Sequence, residues 1–463
     1  MLAVHLRVND AATNKPTPVR LAITGPNGEV YAPLGRLAEF ACGVGEDVGG
    51  HLRTGRENSC YIDGSCEVRL PAGVPLRFRV SKGIRYRPID ETITLGPGQM
   101  AVRLAIQTWL STPDDRWMNG DARAHFLSPQ AAKLEAEAEG LDVVNVLAKV
   151  HHHLATDGNT HASLPGMVEF TGQATAFDGE PVVAVNTFNS HPVLGSLSLL
   201  NSHRPIFPLA FGEPYDTDDW SLFDWCNQCH RKKGLVVWAN PFQPEGGESL
   251  VAAILGKVDA FELTPSPKSP VLPWYYHLLN AGVHLPLVGA SGKDSNRSAL
   301  GAMRTLARIG ADAPRTYASW IEAVRAGNTY VTNGPFVTCR VEEGQVIVSA
   351  MSDRPFEKLE LIADGNPIAT AVPNSGVDFH LAVLDLLIPE AAWIAARCVG
   401  SGQFAHTSPI WLGPERRDPR SARVLVEQIE RVREWATTRA NFTEEKWRTQ
   451  LLANCDAAAE RLS

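Results

Sequence analysis

The run Gly120-Asp121-Ala122-Arg123-Ala124-His125 places a carboxylate, a guanidinium and an imidazole just ahead of Ser128-Pro129. Ser128 has the type of an N-cap and Pro129 that of a first helical residue, so the spacing predicts a strand running into a helix over 129–139. A loop in front of a helix N-terminus lies in a partial positive field, which suits anion or metal chemistry. Other groups able to do chemistry follow further apolar, strand-like runs. They are Lys149 with His151, His152 and His153; Glu169; His191; Asn240; Glu262; and Lys293 with Asp294.

The elements that must position these groups change character along the chain. Residues 1–112 alternate with period two, over 2–8, 19–24, 66–71, 76–80, 91–95 and 101–106, with Pro26-Asn27-Gly28 as a turn. This predicts a small β-sandwich, with a polar, glycine-rich excursion over about 36–62 that covers a site or moves. Across 113–335, short apolar runs (119–126, 142–148, 181–187, 235–239, 258–263, 285–289) alternate with helical ones (129–139, 219–233, 273–281, 319–326). Gly140, Gly234, Gly282 and Gly327 stand where left-handed helix caps belong. Such alternation argues for a parallel α/β sheet or barrel, whose reactive groups gather at the C-terminal ends of the strands. Residues 336–415 return to period two, which predicts a second β-sandwich. Residues 416–463 turn helical, with Ala422, Leu425, Val426, Ile429, Val432 and Ala436 as one apolar stripe.

Composition narrows the function classes. The 463 residues carry a net charge of −8, with 44% hydrophobic and 20% charged side chains, as in an ordinary globular protein. That balance argues against nucleic-acid or anionic-membrane partners. No apolar run is long enough to span a bilayer and the first residues alternate like a strand, so a cytoplasmic location is expected. The eight cysteines are too scattered for a disulfide framework. Cys226-x-x-Cys229-His230 has no second ligand pair and falls within a helical run, so buried helix cysteines are the reading rather than zinc.

Several segments together resemble the CehA/McbA (carbaryl-hydrolase-like) branch of the PHP superfamily of polymerase and histidinol phosphatase domains. They are Gly120 to Pro129, Leu164 to Glu169, His191 to Ser196, Trp274 to Gly282 and Tyr330 to Pro335, together with Trp320 to Gly327. The resemblance covers about 1–412. It implies a distorted (β/α)7 barrel flanked by β-sandwiches, and hydrolysis of an ester, carbamate or phosphoester at a divalent metal centre. His125 and Glu169 keep the family's pattern. The family's first-motif histidine is Arg123 here, and its Asp-His after the second strand is Ala148-Lys149. Its Gly-His is Gly195-Ser196, and its His-Pro is Asn240-Pro241. Its Gly-Ser-Asp-Ala-His becomes Gly289-Ala290-Ser291-Gly292-Lys293, followed by Asp294. His191 is the candidate to replace a lost ligand.

Three of these replacements, Arg123, Lys149 and Lys293, are cations. At about 5 Å and an effective dielectric of about 20, each cation beside a divalent metal costs on the order of 6 kcal/mol. Three readings stay open. A reduced site of His125, Glu169, His191 and Asp294 holds at most one zinc, manganese or iron for hydrolysis, with Arg123, Lys149, Lys293 and Asn240 acting on the substrate. Alternatively the cations take the place of the metals and hold an anionic or polar small molecule with no metal at all. In the third reading the chain is an assembly module. Homo-oligomerisation is compatible with all three. No Gly-x-Ser-x-Gly elbow or phosphate-binding P-loop supplies another mechanism.

Overall fold

The structure, a computed structural model, describes residues 1–42, 48–110, 116–150, 176–212, 217–243, 247–265, 271–376, 379–413 and 417–463. The chain is a mixed α/β protein built from several β-sheets and seven helices among the described residues.

Eight strands come first: β1 (Leu2–Asp10), β2 (Val19–Thr24), β3 (His51–Thr54), β4 (Glu57–Ile62), β5 (Ser65–Leu70), β6 (Pro75–Ser81), β7 (Ile89–Thr94) and β8 (Ala101–Ile106). They form two sheets, β5-β1-β8 and β3-β4-β2-β6-β7. Alternate residues such as Val4, Leu6 and Val8 from one sheet and Leu21, Ile23 and Phe78 from the other fill a common core, the period-two logic of a sandwich. The excursion read as a covering loop contains the β3–β4 hairpin. Residues 50–53 reach the central region, where Arg53 N donates to Asn296 O (2.7 Å) in the loop after Gly289 and Gly50 N to Glu135 (2.8 Å) in the helix 129–139.

The central region runs β9 (Trp117–Ala124), α1 (Pro129–Glu139), β10 (Val143–Ala148), β11 (Val182–His191), β12 (Gly195–Leu200), α2 (Leu222–Arg231), β13 (Leu235–Ala239), α3 (Glu248–Ile254), β14 (Ala260–Leu263), α4 (Leu272–Asn280), β15 (Leu287–Gly289), β16 (Arg304–Arg308), α5 (Tyr317–Arg325) and β17 (Thr329–Thr332). Ser128 caps α1 by accepting from Ala131 N, and Gly140 closes the helix at φ 66°. Gly282 and Gly327 also take positive φ; after α2 it is Lys233 (φ 61°), not Gly234, that turns left-handed. Strands β9, β10, β11, β13, β14 and β15 run parallel, while β12 and β16 run antiparallel to their neighbours. The sheet curls around Ala122, Ala184, Ala239, Ala260 and Val288, with Trp320 of α5 in the same core. Among the described residues no continuous ladder closes it between β15 and β9; a single parallel bridge, Ala124 to Lys293, joins the two sides. Edge strand β15 is tied across by side chains, Gly289 N donating to Thr305 Oγ1 (2.7 Å) and Thr329 Oγ1 to Leu287 O (2.7 Å). The segment just after it meets the end of β9 through the backbone pairs Gly292 N to Arg123 O (3.0 Å) and His125 N to Lys293 O (2.8 Å).

The chain continues through β18 (Phe336–Glu342), β19 (Gln345–Ser352), β20 (Lys358–Ala363), β21 (Asn366–Ala371), β22 (Asn374–Ser375), β23 (His380–Leu387), β24 (Trp393–Gly400), β25 (Gln403–Thr407) and β26 (Ile410–Trp411). One sheet, β18-β19-β23-β22, packs on β20, β24 and β25 through Val346, Val348, Leu359, Leu361 and Ala396. The second of those layers is not separate from the central region. β17 pairs with β25, so one sheet runs across the boundary expected near 335. Helices α6 (Pro419–Thr438) and α7 (Glu445–Leu462) form the terminal hairpin, whose Leu425, Ile429, Val432 and Trp435 pack among α3 and α4. No helix among the described residues is long and apolar enough to cross a membrane.

Candidate functional site: a guanidinium at the strand ends

Strand β9 aims Arg123 inward by a bulge. Val144 pairs with Asp121 but Val146 pairs with Ala124, so β9 carries one extra residue over this stretch. Such an insertion re-aims side chains. Ala122 joins the interior core, and Arg123 next to it also reaches the interior. Asp121 fixes the bulge from behind, accepting from Arg123 N (3.1 Å), Ser291 N (3.0 Å) and Gly301 N (2.8 Å). Burial pushes the Asp121 carboxyl above its ordinary range, and these backbone donors oppose the rise.

Arg123 spends most of its donors inside the protein. Nε and Nη2 bond Glu262 at 2.8 Å each, Nη2 also bonds Asn240 Oδ1 (3.0 Å), and Nη1 faces His125 Nε2 at 3.3 Å. The guanidinium lies 5.3 Å from the centre of the Phe188 ring. Burial works against its charge, but Glu262 outweighs burial and holds the guanidinium above its ordinary value. Asn240 is left-handed (φ 45°), and its N–H donates to the same Glu262 carboxylate (3.1 Å). Gly292 (φ 60°) packs over the guanidinium; a Cβ there would sit 3.2 Å from Nη2. Phe126 (φ 54°) and Phe242 (φ 56°), just past the ends of β9 and β13, are also left-handed. That conformation costs bulky residues of order 1–3 kcal/mol and is retained where the surroundings impose it.

His125 lies at the same end. Its N–H bonds Lys293 O (2.8 Å), and its Nδ1 bonds Leu147 O (2.8 Å). A carbonyl partner puts the proton on Nδ1, so the Nε2 lone pair faces the Arg123 guanidinium. Lys149, one residue past β10, is mostly buried. Burial lowers its pKa, Asp294 opposes the fall and Arg123 adds to it, so the three charges share one region.

The other sequence candidates lie elsewhere. Lys293 turns away, with Nζ donating to Ser298 O (2.8 Å) and lying 3.4 Å from Glu135 of α1, both side chains fully buried. It ties the loop after β15 to α1 and is not a pocket cation. His191 is not with His125. Ala148 at the end of β10 pairs with Thr187, so His191 lies four residues, about 13 Å of strand, farther on. Its Nδ1 accepts from Val193 N (3.0 Å) and Leu194 N (2.9 Å), and its Nε2 bonds Asp218 (2.9 Å). Both ring nitrogens are spent, which leaves no lone pair for a metal. Glu169 and the His151–His153 run fall outside the described residues. Cys226 and Cys229 are buried in α2, with burial pushing the Cys229 thiol up to about 12.

The three described residues among those expected to ligate a metal therefore do not converge. His125 and Asp294 stay near the strand ends, His191 leaves, and a guanidinium stands against His125 Nε2. Zinc–imidazole bonds are about 2.0–2.1 Å, so an ion on Nε2 would lie within about a van der Waals contact of that cation. Among the described residues no group of three or more His, Cys, Asp or Glu is placed to hold a metal ion. The described residues do not fit the metal centre that the resemblance implies. Sequence reasoning placed Glu262 at a strand end but gave it no role. Its signal was a carboxylate inside the apolar run 258–263.

Searches of protein-family models and of curated proteins find no match for this chain. Among solved structures, PsfC from Pseudomonas syringae PB-5123 aligns over 44% of this chain and 88% of its own at 18% identity, with a TM-score of 0.29. A likeness that low carries no argument about fold or activity.

Proposed function

We propose that the curled central sheet is a PHP-type barrel that works without metal, and that its strand-end pocket binds a small anionic ligand. The observation that carries this is the bidentate Arg123–Glu262 pair, which sets a permanent cation where the resemblance implies metals. Four donor hydrogens of the guanidinium are committed to Glu262, Asn240 and His125, and Arg has five. Among the described residues, the remaining Nη1 hydrogen and the Lys149 ammonium are the donors available to a ligand. A carboxylate, phosphate or sulfate supplies acceptors for both and offsets the burial that lowers the Lys149 pKa. Hydrolysis through a metal-bound water is the weaker reading, because the described candidate ligands His125, His191 and Asp294 do not converge.

Thermal unfolding in phosphate or sulfate, against chloride at equal ionic strength, tests this directly. A ligand at a hundred times its Kd stabilises by about 2.7 kcal/mol. The expected result is a higher Tm in the oxoanion, lost in Lys149→Met, with elemental analysis finding far less than one metal per chain. A stoichiometric divalent metal that disappears in His125→Ala would restore the hydrolase reading. A protein that neither anions nor metals stabilise would favour the assembly-module reading.

A further inference from the structure

A cavity of about 350 Å³ lies away from the strand-end cluster, between α2, α3 and the terminal hairpin. That is within the range of small-molecule sites, about 300–1,000 Å³. Four aromatic residues line it: Trp220, Phe223, Phe442 and Trp447. Trp220 is 40% exposed, unusual for so large a ring. Two of the rings are held in place by cations, Lys446 lying 4.8 Å from the Trp447 centroid and Arg448 5.6 Å from that of Phe442. Side-chain amides complete the lining: Asn227, whose Oδ1 accepts from Lys257 Nζ (3.3 Å), and Gln450, whose Nε2 donates to Asn454 Oδ1 (3.2 Å), each amide retaining further donor and acceptor positions.

The charged groups of this cavity are already committed. Glu248 is fully buried and accepts from Leu222 N (2.8 Å) and from the Ser221 hydroxyl. Asp224 accepts from Ser221 N (3.3 Å). Together they answer the exposed N–H groups and partial positive charge of the α2 N-terminus. Among the described lining residues none is lysine, arginine or histidine, and the two cations beside the rings are paired already, Lys446 with Glu444 (2.7 Å) and Arg448 with Glu445 (2.5 Å), so an anion would have to compete with those carboxylates. A cation meets the positive end of α2, whose countercharge is in place. A purely apolar guest would strip water from the amides without replacing its hydrogen bonds. A neutral guest with apolar C–H faces and many hydroxyls matches rings and amides at once.

We infer that this cavity is a binding site for a neutral saccharide, whose ring faces stack on Trp220 and Trp447 and whose hydroxyls bond Asn227, Gln450 and Asn454. The site is independent of the anion pocket. It is tested on the full chain by tryptophan fluorescence and saturation-transfer NMR, titrating cellobiose, maltose, N-acetylglucosamine and methyl β-glucoside, with tetramethylammonium as the cationic control. At least one sugar should bind saturably. Trp447→Ala should weaken it about tenfold or more. Because Trp447→Ala could loosen the hairpin, Asn454→Leu at the cavity wall is the second variant and should weaken binding with an unchanged Tm. Lys149→Met should leave sugar binding intact, which separates this site from the anion pocket. No saturation by any of the sugars, binding indifferent to both cavity variants, or competition by tetramethylammonium would overturn the inference.

Discussion

Two histidines in this chain, His125 and His191, follow apolar strands and look alike in sequence, yet they belong to different kinds of structure. His125 ends its strand level with β10 and shares the strand-end cluster with Arg123, Glu262 and Asn240. His191 continues past that level into the β11–β12 hairpin. There it bonds Asp218 and packs against Phe211 and Trp435, and Asp218 in turn accepts from Asn441 N beyond α6. One group sits beside a guanidinium and a mostly buried ammonium, Arg123 and Lys149. The other fastens the terminal hairpin to the sheet. The difference shows that lying after a strand does not put a residue at a site; strand register decides.

The largest effect should come from breaking the charge pair of the first region. Glu262→Ala leaves Arg123 buried without its carboxylate, and removing one partner of such a pair typically costs about 3–5 kcal/mol. Urea denaturation should show that loss. The double variant Arg123→Met/Glu262→Met should recover most of it, since a packed apolar pair is often neutral. If the double variant is as unstable as the single, the pair is not what holds the strand ends together.

The hairpin region should instead show itself through pH. Burial raises the Glu248 carboxyl from an ordinary 4.5 to about 7, against its bonds to Ser221 and Leu222. The native state then holds the proton more tightly than the unfolded chain, so this contribution is full below about pH 4.5 and lost as pH rises through about 7. The swing is on the order of 3 kcal/mol. Glu248→Gln should flatten that fall in stability between these limits. A wild-type curve that rises across the same window would contradict the assignment.

His191→Ala removes an acceptor of two backbone N–H groups and the partner of Asp218, with a cost of about 2 kcal/mol. The comparison is sharpened by what should not change: the Tm increment produced by phosphate. Should that increment vanish in His191→Ala, the two histidines act in one site after all.

Much of the scaffold could be read from residue pattern. β2 (19–24), β8 (101–106), β13 (235–239) and α1 (129–139) have the bounds that periodicity and capping predict, because each is decided by local rules. β3 and β4 were hidden in a polar, glycine-rich stretch, where hairpin pairing rather than propensity sets the strands. The continuity of β17 with β25 was also hidden, since it joins residues far apart in sequence. At the site, Arg123, His125, Asn240 and Lys149 were legible as strand-end groups. The partner of Arg123 was not, because choosing Glu262 over Asp121 or Glu169 depends on how the sheet curls. Lys293 was misplaced for a similar reason. Its backbone is at the strand ends, bridged to Ala124, but the side chain leaves toward Glu135.

The smallest effect on stability should accompany the largest effect on binding. The Lys149 pKa is lowered first by burial and then by Arg123, with Asp294 in opposition. Its charge is thus disfavoured by folding, which costs stability at neutral pH and progressively less as pH climbs toward the ordinary 10.5. Lys149→Met keeps the stem and removes the charge, so in plain buffer its Tm should equal or slightly exceed that of the wild type. The gain should amount to less than about 1 kcal/mol and should shrink above about pH 10. In phosphate the order should reverse, because only the wild type gains from the anion. A crossing of the two proteins between buffers marks a side chain kept for a ligand at the expense of stability. If Lys149→Met is instead destabilised in both buffers, the ammonium is a structural partner of Asp294. The strand-end cluster would then resemble the His191 region, with every polar group spent on holding the fold.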